Sequence, residues 1–102
     1  MTMPISFTAA NIARAPVMRG IYVLYQGKEI IYFGRADSSV RGMLQSHARG
    51  DHGPDTQVAT HFGAEATMHH IVREQQLLSA YKLLRKRIPR CNETLHPAAT
   101  AS

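Results

Sequence analysis

Cysteine is nearly absent from this 102-residue chain, tryptophan is missing altogether, and acidic residues are few. The single thiol, Cys91, excludes an internal disulfide and any zinc site built from several cysteines. The six histidines do not fill that gap. His69 and His70 are adjacent and diverge on any regular element, and neither H-x₃-H nor HExxH occurs, so no zinc site is assigned. Long apolar runs are missing too. Nothing approaches the ~20 residues a bilayer span requires, and the opening "MTMPISFTAANIARAP" has no apolar core of a signal peptide. The expectation is a soluble, intracellular protein of the cytoplasm.

The scarcity of acid matters most where base is dense. Seven Asp and Glu stand against twelve Lys and Arg, for a net charge of +5. Between residues 73 and 90 the chain carries Arg73, Lys82, Arg85, Lys86, Arg87 and Arg90, with Glu74 as the only acid. Such a face suits a polyanion, whose phosphates would dominate the affinity. A charge run taken alone is more often a solvated helix face.

What is present suffices for one small domain. The hydrophobic fraction is 44%, and there is no internal repeat or interior linker. Residues 1–18 read as a loose lead-in with one helical turn near "TAANIAR", capped by Thr8; residues 19–92 form the domain; residues 93–102 are a flexible tail of small residues. Residues 20–25 and 29–33, rich in Ile, Val and Tyr about a turn at Gly27, predict a β-hairpin. Ser38 or Ser39 caps a helix that runs to about Ala48, and "RGDHGPD" reads as a loop. Residues 57–67 partly alternate and predict a third strand, against which Gly63 and the alanines count. From His70 to Lys86, Ile71, Leu77, Leu78, Tyr81 and Leu84 recur at helical spacing, and Pro89 ends the helix. The order β-β-α-β-α predicts an α+β fold, a small three-stranded antiparallel sheet flanked by helices.

One stretch asks for more than a fold. In "GIYVLYQGKEIIYFG", residues 20–34, each arm of the hairpin places a tyrosine near a glycine. Tyrosine favours strands, and either residue alone reads as structural. The flanking glycines shift that balance, because glycine in a strand allows close approach of another group.

"GIY" at 20–22 with "YFG" at 32–34 resembles the GIY-YIG nuclease domain, a family that includes homing endonucleases and the incision subunit of nucleotide excision repair. Phe33 replaces the usual isoleucine. "SVRGMLQSH" at 39–47 resembles the family's second motif, Glu74 falls on its long helix, and "RIPRCN" resembles its terminal asparagine segment. The resemblance spans residues 19–92 and implies a divalent-metal-dependent DNA endonuclease that hydrolyses phosphodiester bonds with Mg²⁺ or Mn²⁺. Such chemistry needs an activated water and a neutralised phosphate. The resemblance implies Tyr22, Tyr32, His47, Glu74 and Asn92 as catalytic residues, with Glu74 the metal ligand. A phenol acting as base needs a nearby cation to lower its pKa. The expected nucleic-acid contacts are Arg35, Arg41, Arg73, Lys82 and Arg85.

Met43 departs from the pattern. The family's second motif carries an arginine four residues before its closing His or Tyr, and here that position is Met43. Arg41 lies some 200° around the helix from it and is a poor substitute; Arg35 could reach in from the strand end. Three readings stay open: an endonuclease impaired by Met43, a catalytically inactive nucleic-acid-binding module, and a small interaction domain with structural tyrosines. With no second DNA-binding domain, a partner protein or further subunit is expected to supply specificity. Met43 and Met68 otherwise read as packing residues.

Overall fold

The computed structural model describes residues 1–95. The hairpin forms from β2 (Gly20–Gln26) and β3 (Glu29–Ala36), with Gly27 at a positive φ of 60° in the turn. β4 (His61–Ala66) pairs antiparallel on the other side of β2, so β2 is central and β3 forms an edge. This is the expected three-stranded core. A two-residue strand, β1 (Ile5–Ser6), adds to β4 and makes the sheet four-stranded, in the order β1-β4-β2-β3.

Alternation along β2 sends side chains to two faces, and both are covered. Tyr22 and Leu24 point into a core with Ile12, Val40, Leu44 and Phe62, supplied in part by α1 (Ala9–Ile12) and α2 (Val40–Ala48). Ile21 and Val23, also buried, point to the opposite face. There α4 (His70–Arg85) lies against the sheet, with Tyr81 packed edge-on against Phe33 at 5.9 Å. Caps form where the sequence supplies them: Thr8 accepts from the Asn11 N–H, and Ser39, not Ser38, accepts from the Gly42 N–H.

Several sequence expectations need correction. The lead-in is not loose throughout, because Ile12 and Ala15 are buried. The loop expected at 49–55 turns helical at its end, where Pro54 starts α3 (Pro54–Gln57), and this shortens the strand expected from residue 57 to His61–Ala66. Pro89 is not the direct stop of α4; Lys86 closes it in the left-handed region at φ 66°, donating its N–H to the Lys82 carbonyl. Ile71 and Leu84 do not join the apolar stripe: they are 46% and 80% exposed. Their angular positions match Leu78 and Leu77, but they sit in the terminal turns, beyond the contacts that Tyr81 and Arg73 make with the sheet. The expected tail begins as helix, since α5 spans Arg90–Leu95; residues 96–102 lie outside the described residues. No described helix is long and apolar enough to cross a membrane.

Candidate active site

The hairpin register explains the paired tyrosines and glycines. Tyr22 stands opposite Gly34, and Tyr32 opposite Leu24, so the two phenols are diagonal neighbours on one face. Their ring centroids are 6.1 Å apart. Tyr22 lies directly over Gly34: a Cβ built there would come within 2.5 Å of the Tyr22 Oη, and it would also collide with the ring carbons. Gly20 is held as tightly, since a Cβ there would run into the Glu65 carbonyl oxygen and the Ala66 Cα. Both glycines are required by close approach.

Behind the tyrosines runs a buried polar chain. The Tyr22 Oη is 2.8 Å from His47 Nε2, and His47 Nδ1 is 2.7 Å from Thr56 Oγ1. All three residues are fully enclosed. The Tyr22 and Tyr32 hydroxyls also influence each other electrostatically. Burial, then the charges of Tyr32 and Glu74, push the Tyr22 phenol far above its ordinary range. Burial, followed by the Glu74 carboxylate, pushes Tyr32 up to about 12. Both phenols are therefore neutral near pH 7, and serve as hydrogen-bond donors and acceptors there.

Tyr32 faces outward from this chain onto a cleft of about 600 Å³ along the β3 edge. α2 reaches the cleft from one face of the sheet and α4 from the other, so Tyr32, Met43 and Glu74 line one space. Glu74 is on the domain side of α4, with its side chain only 18% exposed. It faces the Arg35 guanidinium at 3.7 Å, and Arg35 also lies 3.6 Å from Asp37. Asp37 in turn takes His70 Nε2 at 2.8 Å, while His70 Nδ1 is buried with no hydrogen-bond partner among the described residues.

Asn92 reaches the site through the backbone. Its Oδ1 accepts from the Phe33 N–H at 2.9 Å and its Nδ2 donates to the Phe33 carbonyl at 2.8 Å. This double clip ties α5 to the edge strand between Tyr32 and Gly34. Asn92 thus sets the strand that carries Tyr32, and it also lines the cleft.

The expected nucleic-acid residues separate. Arg35 lines the cleft. Arg41 is half-buried and does not line it; its Nε is enclosed without a partner among the described residues. Arg73 is tied to Glu65, Nε to Oε2 at 3.0 Å, and Glu65 also holds the N-terminal ammonium at 2.8 Å. These hydrogen bonds hold the Glu65 carboxyl below its ordinary range. Lys82 and Arg85 are exposed on α4, with Arg85 lying 6.0 Å over the Tyr81 ring.

Four residues escaped the sequence reading: Asp37, His52, Thr56 and His70. Only Asp37 carried a usable signal, being an acid two residues beyond Arg35 at the end of a strand. Thr56 and His52 reach the site through the turn at Gly53, whose φ of 90° no periodic pattern announces.

With this geometry the chain was compared with known proteins. No family profile and no curated protein matches it. Solved structures do. The N-terminal GIY-YIG endonuclease domain of UvrC from Thermotoga maritima, bound to its catalytic divalent cation magnesium, superposes with a TM-score of 0.60 at 20% identity, over 79% of this chain and 90% of that one. An asparagine-to-alanine point mutant of the same domain gives 0.63 at 20% identity, over 79% and 89%. A tyrosine-to-phenylalanine point mutant gives 0.63 at 18% identity, over 79% and 90%. The chain has the fold of these endonuclease domains.

Proposed function

We propose that this chain is a divalent-metal-dependent DNA endonuclease of the GIY-YIG type, hydrolysing phosphodiester bonds at a rate reduced by Met43. The observation that carries this reading is the convergence of Tyr32, Arg35 and Glu74 on one cleft, with Tyr22 and His47 bonded behind it.

Glu74 is the residue that would hold Mg²⁺ or Mn²⁺. The donor set suits a hard cation: among the described residues no group of three or more His, Cys, Asp or Glu gathers, and of the two cleft carboxylates Asp37 is engaged by His70, so Glu74 would leave the remaining positions to water and phosphate oxygens. When bound, such a cation supplies Lewis-acid polarisation of the phosphate and acidifies a water.

The protein's own groups divide the rest. Arg35 binds a flanking phosphate at the cleft mouth, exchanging its contacts with Asp37 and Glu74 for a bidentate one. Tyr32, as a neutral phenol, orients the attacking water. Behind it Tyr22, bonded to His47 and through His47 to Thr56, backs the Tyr32 ring. Lys82 and Arg85 add phosphate contacts along α4; contacts of that kind position the duplex and read no sequence.

A second reading is a nucleic-acid-binding module that does not cut. Met43 on the cleft wall favours it, because the second-motif position resembling the family's arginine brings no charge to the phosphate. Nicking of supercoiled plasmid, with and without Mg²⁺, separates the two. Mg²⁺-dependent nicking that Glu74→Ala abolishes is the expected result; binding without nicking would establish the second reading.

A further inference from the structure

His52 is the only histidine on the cleft wall among the described residues, and two neighbours fix its ring. It stacks on His47 with centroids 4.1 Å apart and planes inclined by 29°. Its Nε2 is 2.7 Å from Ser46 Oγ. Ser46 has one hydroxyl proton, which it donates to the Met43 carbonyl at 2.7 Å, an atom that can only accept. The bond to His52 must therefore be an N–H donated from Nε2 to Ser46 Oγ. Nδ1 is the atom left over. It has no hydrogen-bond partner among the described residues, and the half-buried His52 lines the cleft.

Charge in the cleft makes that atom matter. Among the described residues that line the cleft, Arg35 and His52 are the ones that can be cationic, and Arg35 is shared between Asp37 and Glu74. On the α2 side of the cleft, Met43 contributes a thioether and His52 is the sole basic group among the described residues. Ser46 lies three residues after Met43 on α2, so the bond to Ser46 holds the imidazole beside Met43.

We infer that His52 contacts the substrate, its protonated Nδ1 donating to a phosphate oxygen of the bound nucleic-acid backbone. This rests on the phosphodiester reading of the cleft. A charge-assisted bond of this kind is short and directional, and it places a cation on the wall where Met43 brings none. A histidine that only buttressed α2 would need Nε2 and the stack, and would have no use for Nδ1 on the cleft.

The test uses the whole chain with ¹⁵N-labelled histidine and two probes, a short DNA duplex and inorganic phosphate. Each probe should move the His52 Nδ1 resonance toward its protonated position while the His47 resonances stay in place. Two variants separate the ring atoms. His52→Gln keeps a polar group near Nε2 and loses Nδ1, whereas His52→Asn does the reverse. Duplex affinity should fall roughly tenfold to a hundredfold in His52→Gln, and less in His52→Asn. An Nδ1 resonance silent to both probes, or a His52→Gln protein that binds like the parent, overturns the inference. A response to phosphate in a protein that never nicks plasmid keeps it and removes the nuclease reading; nicking with a silent Nδ1 does the opposite.

Discussion

The Tyr22 ring lies across Gly34 on the neighbouring strand, filling the place a Gly34 side chain would take. The contact is reciprocal. Tyr22 brings its hydroxyl to His47 only because the edge strand is bare at that position. Gly34→Ala should therefore overpack the hairpin and destabilise the protein by about 1–3 kcal/mol, with a loss of the Tyr22–His47 bond. Urea unfolding reads the first effect and the His47 ring resonances the second. An unchanged midpoint would show that the close approach is not a constraint.

Asn92 should prove a structural residue with a catalytic consequence. Asn92→Ala orphans the Phe33 N–H and carbonyl at a buried position, at a cost of about 1–3 kcal/mol for each group. Asn92→Asp keeps the acceptor but sets a carboxylate oxygen against the Phe33 carbonyl at a buried position, so it too should lose stability. Thermal unfolding ranks the three proteins. Equal stability of Asn92→Ala and parent would contradict the clip.

Alkaline titration tests the buried phenols. Tyr32 is raised from 10.0 to about 12, and Tyr22 is raised further. In both cases the fold favours the protonated phenol, so between the unfolded and folded pKa values the native state binds more protons than the unfolded one. The stability they contribute is complete below pH 10 and is lost as pH rises through about 12. A parent protein should weaken over that window more steeply than Tyr32→Phe, as followed by circular dichroism. Parallel curves for the two proteins would contradict the burial assigned to Tyr32.

The salt dependence of duplex binding should divide the basic residues unequally. Each phosphate neutralised adds about 0.9 to the log–log slope. Replacing Lys82 and Arg85 together should lower the slope by roughly 2. Arg73→Ala should change it little and cost stability, because that guanidinium is engaged with Glu65. Equal slopes for the Lys82/Arg85 variant and the parent would make the outer surface of α4 a solvated face only.

Much of this architecture was legible because it follows from local pattern. The hairpin, the Ser39 cap and the span of α4 come from alternation, a polar cap and helical spacing. So does the inward placement of Glu74, which shares a helix face with Leu78 and Tyr81. β1 was not legible: two residues carry no period, and its partners on β4 lie more than fifty residues away. The burial of Ile12 and the exposure of Leu84 depend on where the sheet ends, which spacing along one helix does not encode. In the site, the tyrosine–glycine pairs announced themselves by sequence. The partners of His47 did not, since Thr56 and His52 are brought to it by a turn that depends on Gly53.

The most direct measurement restores charge at Met43. Its side chain lines the cleft with Glu74 and Tyr32, and its unbranched stem matches that of arginine, so Met43→Arg should fold and place a guanidinium beside the phosphate. Initial rates of Mg²⁺-dependent nicking of supercoiled plasmid should rise on the order of 10²- to 10³-fold over the parent. The gain should disappear when Glu74→Ala or Tyr22→Phe is added. A folded, DNA-binding Met43→Arg protein that nicks no faster than the parent, or one whose nicking survives Glu74→Ala, would contradict the assignment of this cleft to phosphodiester hydrolysis.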